Sequence, residues 1–351
     1  MLFDERPKER REDLFDRQAE LAAIMDNVNR PLLVLSGVRR IGKTSLLLVA
    51  LNELGHDYIL IDARELKANY GRRDLYSLLS KALSSRLSRL ADVLNGIRGV
   101  NIMGNYVEIS WRGRDYISLA ELFDALNRRR LIVAIDEAQR LRGPMGAELR
   151  EALAHAYDYD RNLTFVLTGS EVGLLHELIG VDDPSSPLYG RYYHEVQLGR
   201  FSEEQSAEFL RRGFEEAKLK VDEEVIDEMV RLFDGIPGWL TFAGNQYLAA
   251  RSLEEVRERA IGVALRELEN LVEEKSRASP SAGRRYRLAL KCIAEGRDSW
   301  SSLKRCFEEG EGATVSSSVL DNVLRTLERL SIVKGYEFLD PVYREAARRL
   351  R

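Results

Sequence analysis

Short, almost unbroken apolar runs recur through the first two hundred residues, at 32–35, 58–61, 131–135 and 163–167, with 194–198 as a fifth candidate. Runs of this length, bounded by Gly or Asp, predict strands of a buried parallel sheet. Helical spacing separates them. Residues 15–28 put Leu21, Ile24 and Val28 on one face, 44–54 is helical up to Gly55, and 75–94, 119–126 and 149–157 repeat the pattern. The strand, loop, helix and second strand between 32 and 61 make one βαβ unit. Residues 1–13 are highly charged and read as a mobile tail. Gly104-Asn105, between alternating apolar positions at 100–111, predicts a hairpin inserted in the sheet domain, with no role assigned to the insertion at 98–114.

From Ser202 onward the pattern is helical. Ser202 with Gln205, and Ser252 with Glu255, spell capping boxes. Gly235-Ile236-Pro237-Gly238 separates two helices. The small, polar stretch at 276–283 is expected to be a linker. Beyond it come helices near 285–294, 301–307 and 317–330, a strand pair around 332–339 and a last helix from Pro341. Three helices followed by a β-ribbon is the pattern of a winged helix.

Gly37-Val38-Arg39-Arg40-Ile41-Gly42-Lys43-Thr44 fits G-x-x-x-x-G-K-[ST], placed between a predicted strand and a predicted helix. The glycines let the backbone turn tightly and bring its N–H groups to phosphate oxygens. The helix behind the loop points its positive end at the same anion. Lys43 is expected to reach the β- and γ-phosphates of ATP, and the Thr44 hydroxyl to coordinate Mg²⁺. The run at 131–135 ends in Asp136-Glu137, at the strand end where open α/β sheets bind ligands. Asp136 is expected to hold the metal through its water shell, and Glu137 to polarise the attacking water.

Composition bounds the rest. The 351 residues are 44% hydrophobic and 31% charged, a globular composition spread over two to three domains. No apolar run approaches the roughly 20 residues of a membrane helix, and the charged N-terminus is no secretory signal, so the expected location is cytoplasmic. A net charge of −4 argues against a uniformly basic nucleic-acid binder. Residues 284–351, however, hold 14 Lys and Arg against 10 Asp and Glu. Cys292 and Cys306 have no zinc-site spacing and are too few for a disulfide framework, so two buried thiols are expected.

The motifs in this order resemble the AAA+/STAND P-loop ATPases, and in particular an archaeal ATPase family with a C-terminal winged helix. The resemblance runs from Phe15 to about Arg349. It implies an α/β fold with the parallel sheet of P-loop NTPases (AAA+/ASCE-like) in strand order 5-1-4-3-2, then a helical lid and a winged helix. The corresponding domains would be 1–200, 201–278 and 284–351. Phe15-Asp16-Arg17 with Glu20-Leu21 looks like the family's N-terminal box, near the adenine. The loop from Gly37 through Ser45 resembles its phosphate loop, and Asp136-Glu137-Ala138-Gln139 its D-E-x-Q. Thr168-Gly169-Ser170 looks like the sensor-1 strand end, with Ser170 the first candidate for the γ-phosphate contact and Thr168 the second. Arg191 resembles the arginine before the fifth strand, acting within the chain or across an interface. Gly235-Ile236-Pro237 resembles the lid's G-x-P, with Pro237 against the nucleotide. A sensor-2 lid arginine is not evident.

Within the winged helix, 316–330 would be the recognition helix, offering Ser316, Ser317, Asn322, Arg325 and Arg329 but also Asp321 and Glu328. Arg284, Arg285, Arg287, Lys304, Arg305 and Lys334 would supplement it on DNA. The expected activity is that of an ATP-driven molecular switch, binding ATP or ADP with Mg²⁺. The alternatives are a DNA-associated, initiator-like or mobile-element ATPase contacting double-stranded DNA through 284–349, a nucleotide-binding scaffold, and a small-molecule kinase. A protein partner for the winged helix and a homo-oligomer both remain open.

Overall fold

The computed structural model describes residues 1–180 and 183–351. The chain forms two compact units, one of Met1–Pro7, Val38–Gly42 and Gly199–Arg351, the other of Lys8–Gly37 and Lys43–Leu198. Among the described residues no helix is long and apolar enough to cross a membrane.

The second of these units is the sheet domain. Its parallel sheet holds β1 (Leu32–Ser36), β2 (Asp57–Asp62), β5 (Leu131–Asp136), β6 (Leu163–Gly169) and β7 (His194–Gln197), in the order β2-β5-β6-β1-β7. That is the expected 5-1-4-3-2 order. Every residue of β1, β5 and β6 is buried, whereas the edge strands β2 and β7 are only partly so. Helices on both faces leave the central strands no polar side, which explains their unbroken apolar runs. The helices are α1 (Gln18–Asn27), α2 (Lys43–Glu53), α3 (Arg72–Ser84), α4 (Leu87–Leu94), α5 (Leu119–Leu126), α6 (Gly146–Tyr159) and α7 (Val172–Ile179). The single helix expected over 75–94 is therefore two, broken at Ser85 and Arg86. The predicted insertion is present as an antiparallel hairpin, β3 (Val100–Met103) with β4 (Tyr106–Ile109).

The other unit is helical, with α8 (Glu203–Glu216), α9 (Glu223–Phe233), α10 (Pro237–Ala250), α11 (Leu253–Ala278), α12 (Pro280–Ala294), α13 (Trp300–Glu311), α14 (Ser317–Arg329) and α15 (Pro341–Arg348). The ribbon β8 (Val333–Lys334) with β9 (Glu337–Phe338) completes the winged helix. Ser202 caps α8 in the predicted box, its hydroxyl accepting from Gln205 N–H while the Gln205 side chain accepts from Ser202 N–H.

Three expectations change in this unit. Residues 276–283 are not a loose linker, since α11 runs into α12 across Ser279 alone and Gly283 packs directly on Ser276. Composition hid this because small residues serve a tight helix contact as well as a flexible loop. The N-terminus is not wholly a mobile tail, as Leu2 and Phe3 are buried. Phe3 meets Phe214 edge-on at 5.0 Å and occupies space left by Gly213 and Gly244, two apolar positions being enough to anchor a charged segment. Cys292 on α12 and Cys306 on α13 are not thiols but a disulfide, with Cα atoms 6.0 Å apart. Packing of the two helices brings together positions that their separation of 14 residues did not connect.

Candidate functional site

The phosphate loop leaves β1 at Ser36 and enters α2 at Lys43. Gly37 and Gly42 take φ of 144° and 98°, conformations open to glycine but costly for other residues. Lys43 is buried at 5% exposure, and its ammonium donates to the Gly37 carbonyl at 2.8 Å. Thr44 follows, with its hydroxyl 3.0 Å from Oδ2 of Asp136. Ser45 faces elsewhere, its hydroxyl accepting from the Lys8 N–H at 3.1 Å.

The carboxylates stand at the end of β5, next to the end of β6. Asp136, 2% exposed, receives the Thr168 hydroxyl on Oδ1 at 2.5 Å and the Thr44 hydroxyl on Oδ2. Burial, helped by the neighbouring Glu137, pushes its carboxyl above the usual range against the pull of these hydrogen bonds. Glu137 adopts left-handed φ of 52°, and its N–H donates to Thr168 Oγ1 at 3.0 Å. Its Oε2 accepts from Ser170 Oγ at 2.7 Å and from Gln139 Nε2 at 2.5 Å. Burial alone would raise this carboxyl, but the Lys43 charge and those two donors outweigh it and hold Glu137 below its ordinary value. The two carboxylates are thus driven apart in acidity, a pattern typical of sites that divide chemical roles.

Among the described residues no group of three or more His, Cys, Asp and Glu side chains is gathered to hold a metal. The paired hydroxyl and carboxylate of Thr44 and Asp136 nevertheless fit magnesium, a hard cation that keeps water and phosphate ligands and takes few from the protein.

The structure brings Thr44, Asp136, Glu137, Thr168 and Ser170 together through the bonds above, with the Lys43 charge acting on Glu137. Arg191 is not among them. Its guanidinium makes paired bonds to Asp158, the shorter at 2.6 Å, and also bonds the Pro187 carbonyl. Arg17, 6% exposed, pairs with Glu20 at 2.8 Å, and Phe15 is half-buried.

The loop's tip lies in the helical unit. Ile41 is buried there and Val38 half-buried. Arg39 is 60% exposed with Glu267 3.8 Å away. Arg40, at a left-handed φ of 66°, gives two nitrogens to Glu267 of α11 at 2.7 and 3.2 Å and lies 4.1 Å over the Trp239 ring. Tyr343 of α15 also donates to Glu267, and Trp239 donates its indole N–H to buried Asp340 at 2.7 Å. Gly238 donates its N–H to the Arg40 carbonyl at 2.8 Å, and a side chain there would strike the Arg40 backbone. Pro237 occupies the first turn of α10 beside this contact. Arg40 is therefore committed through its side chain to lid and winged helix. Motif reading missed Glu267, Trp239 and Tyr343, since nothing local marks them. Gln139 carried a signal, lying inside the motif with no role attached to it.

A phosphate loop joining β1 to α2, facing a carboxylate pair at the end of β5 in a sheet of this order, defines a P-loop nucleoside triphosphatase, with a winged helix at its C-terminal end. Within that class the chain belongs to the family of ATPase domains predominantly from Archaea, whose profile matches residues 14–242. Residues 280–344 match the MCM protein C-terminal winged helix-turn-helix domain. The Walker-type ATPase of Pyrococcus abyssi is similar at 37% identity over 99% of this chain and 100% of that one, with a TM-score of 0.84. A signal-transduction ATPase with numerous domains and a tetratricopeptide repeat sensor, from Pyrococcus horikoshii, is 16% identical over 97% of this chain and 43% of that chain, with a TM-score of 0.44. The Aeropyrum pernix ORC1 protein, solved in complex with DNA, is 18% identical over 92% of this chain and 85% of that chain, with a TM-score of 0.45. No curated protein matches the chain.

Proposed function

We propose that this chain is a Mg-dependent ATPase working as a nucleotide-driven switch, in which hydrolysis at the ends of β5 and β6 moves lid and winged helix. The observation that carries the reading is Arg40, a phosphate-loop residue bonded through Glu267 and Trp239 to partners of α15. A loop that rearranges around phosphate must strain or release those bonds.

Bound ATP with Mg²⁺ supplies the phosphoanhydride to be broken and a divalent charge that neutralises it. Lys43 is the buried cation available to phosphate oxygens once its ammonium leaves the Gly37 carbonyl. Thr44 and Asp136 are the residues to hold the metal. Glu137 is the base. Ser170 Oγ and Gln139 Nε2 both bond Oε2, which fixes the carboxylate that would accept a proton from water. Ser170 and Gln139 orient it. Arg191, tied to Asp158, enters only where a second copy of the chain receives it. Phe15 and Arg17 remain the residues proposed near the adenine, and Pro237 one proposed against the nucleotide.

The DNA-associated reading has less support. Arg284 and Arg285 face Glu311, and Lys304 lies 3.9 Å from Glu308, so part of the basic set is already neutralised.

Steady-state ATP turnover of wild type and Glu137→Gln tests the proposal. The variant is expected to be slower by about 100-fold or more while still binding nucleotide, and chelation of Mg²⁺ should stop the wild type. A wild type no faster than Glu137→Gln would reduce the protein to a nucleotide-binding scaffold.

A further inference from the structure

β2 pairs with β5 so that Asp62 lies opposite Asp136. The turn after β2 therefore emerges beside the carboxylate pair, and it carries Arg64. This guanidinium grips Asp62 with Nε at 2.8 Å and Nη2 at 2.7 Å, and the backbone N–H of Arg64 donates to the same carboxylate at 3.0 Å. The grip fixes where the guanidinium lies. Nη2 is also 3.4 Å from Oδ2 of Asp136. That oxygen is the one shared with the Thr44 hydroxyl, while Oδ1 is taken by Thr168. The cation therefore stands against the metal-facing edge of Asp136. Among the described residues Nη1 has no partner, and the side chain is 51% exposed, so the group has both a spare donor and room to turn.

We propose that Arg64 is the arginine that reads the γ-phosphate within the chain, waiting on Asp62 and Asp136 until ATP with its metal takes the Asp136 edge. The proposal rests on the ATPase reading above and adds a residue that no motif marks. Two considerations favour it. First, Arg191 is held by Asp158, so the chain's other arginine candidate is spent on a different carboxylate. Second, Arg64 feels Asp62, Asp136 and Glu137 together, and their charge keeps it firmly protonated. A third phosphate, arriving with the metal that Thr44 and Asp136 would hold, adds negative charge beside a planar donor built for oxyanions. ADP, lacking that group, gives Arg64 nothing new to bind. Asp62 is then a positioning residue, setting the reach of the guanidinium.

The test is affinity for fluorescent Mg-ADP and for a non-hydrolysable Mg-ATP analogue, in wild type, Arg64→Ala, Arg64→Lys and Asp62→Asn. Arg64→Ala should bind ADP within about threefold of wild type but lose about tenfold or more of its affinity for the analogue, as expected for a charge-assisted contact. Arg64→Lys should recover part of that loss and Asp62→Asn should show a smaller version of it. An unchanged analogue-to-ADP affinity ratio in Arg64→Ala overturns the proposal. Equal loss of both ligands also overturns it, making Arg64 a prop for the site's shape. A wild type that binds neither nucleotide would instead sink the ATPase reading.

Discussion

Lys43 and Arg40 come from one loop and serve two neighbourhoods. Lys43 sits in the sheet domain, its ammonium on the Gly37 carbonyl and its charge acting on Glu137, a carboxylate held by Ser170 and Gln139. Arg40 sits in the helical unit with a paired carboxylate, an aromatic face beneath it and a tyrosine behind that carboxylate. The first cluster gathers a buried cation, two hydroxyls and a carboxylate pair around one strand end, and the second ties a single cation to a carboxylate and an aromatic face. The first composition suits a place where a charged ligand arrives and chemistry follows. The second suits a joint, whose strength depends on how many bonds must break together. In the proposed switch, one loop with both ends of that contrast would give nucleotide its hold on lid and winged helix.

Breaking the joint should have the larger effect. Among the described residues, Arg40→Ala leaves Glu267, 23% exposed, facing exposed Arg39 at 3.8 Å and the Tyr343 hydroxyl. A loss of about 2 kcal/mol is expected, below the range for fully buried pairs because water reaches this one, measured by urea unfolding. Its pH dependence has a definite sign. The Glu267 carboxyl is raised by burial but lowered further by the Arg40 hydrogen bond and charge, so it ends below its ordinary value. The pair's contribution is then fully present above the ordinary glutamate value, about pH 4, and disappears as pH falls through the lowered one. Wild type and Arg40→Ala should converge in acid.

A carboxylate of the sheet domain sharpens the contrast by doing the reverse. Asp160 closes α6, is 4% exposed and lies beside Asp124. Burial, then the negative charge of Asp124, pushes it up to about 6. The folded state therefore keeps a proton that the unfolded chain has released, and stability falls as pH rises from about 4 towards 6. Asp160→Asn mimics the protonated form. It should match wild type near pH 4 and exceed it above pH 6 by about 1 kcal/mol, read as a shift in thermal midpoint across pH.

The same contrast explains what could be read from the chain. The sheet strands were legible as apolar runs of fixed length, and Lys43, Asp136 and Glu137 as parts of short motifs, whereas the strand order and Ser170 came only with the family resemblance. α7 passed unread, its turns following β6 without a capping signal. The joint was illegible for a different reason. Glu267 lies mid-helix among many glutamates, and Tyr343 and Trp239 look like core aromatics, so only tertiary packing selects them. The disulfide and the buried Phe3 belong to the same category, contacts made across a fold and absent from any local pattern. Arg64 lies between these cases. It follows a strand whose place beside β5 was expected, and the charge of the residue was visible, but its grip on Asp62 was not.

The central claim is that the Arg40 joint carries nucleotide state to the winged helix. Amide hydrogen exchange in α10 and α15, with Mg-ADP and with a non-hydrolysable Mg-ATP analogue, measures it directly in wild type and Arg40→Ala. Wild type should protect these helices differently with the two nucleotides, and the difference should vanish in Arg40→Ala although both nucleotides still bind. Exchange that ignores the nucleotide in wild type, or a difference that survives without Arg40, would contradict the account.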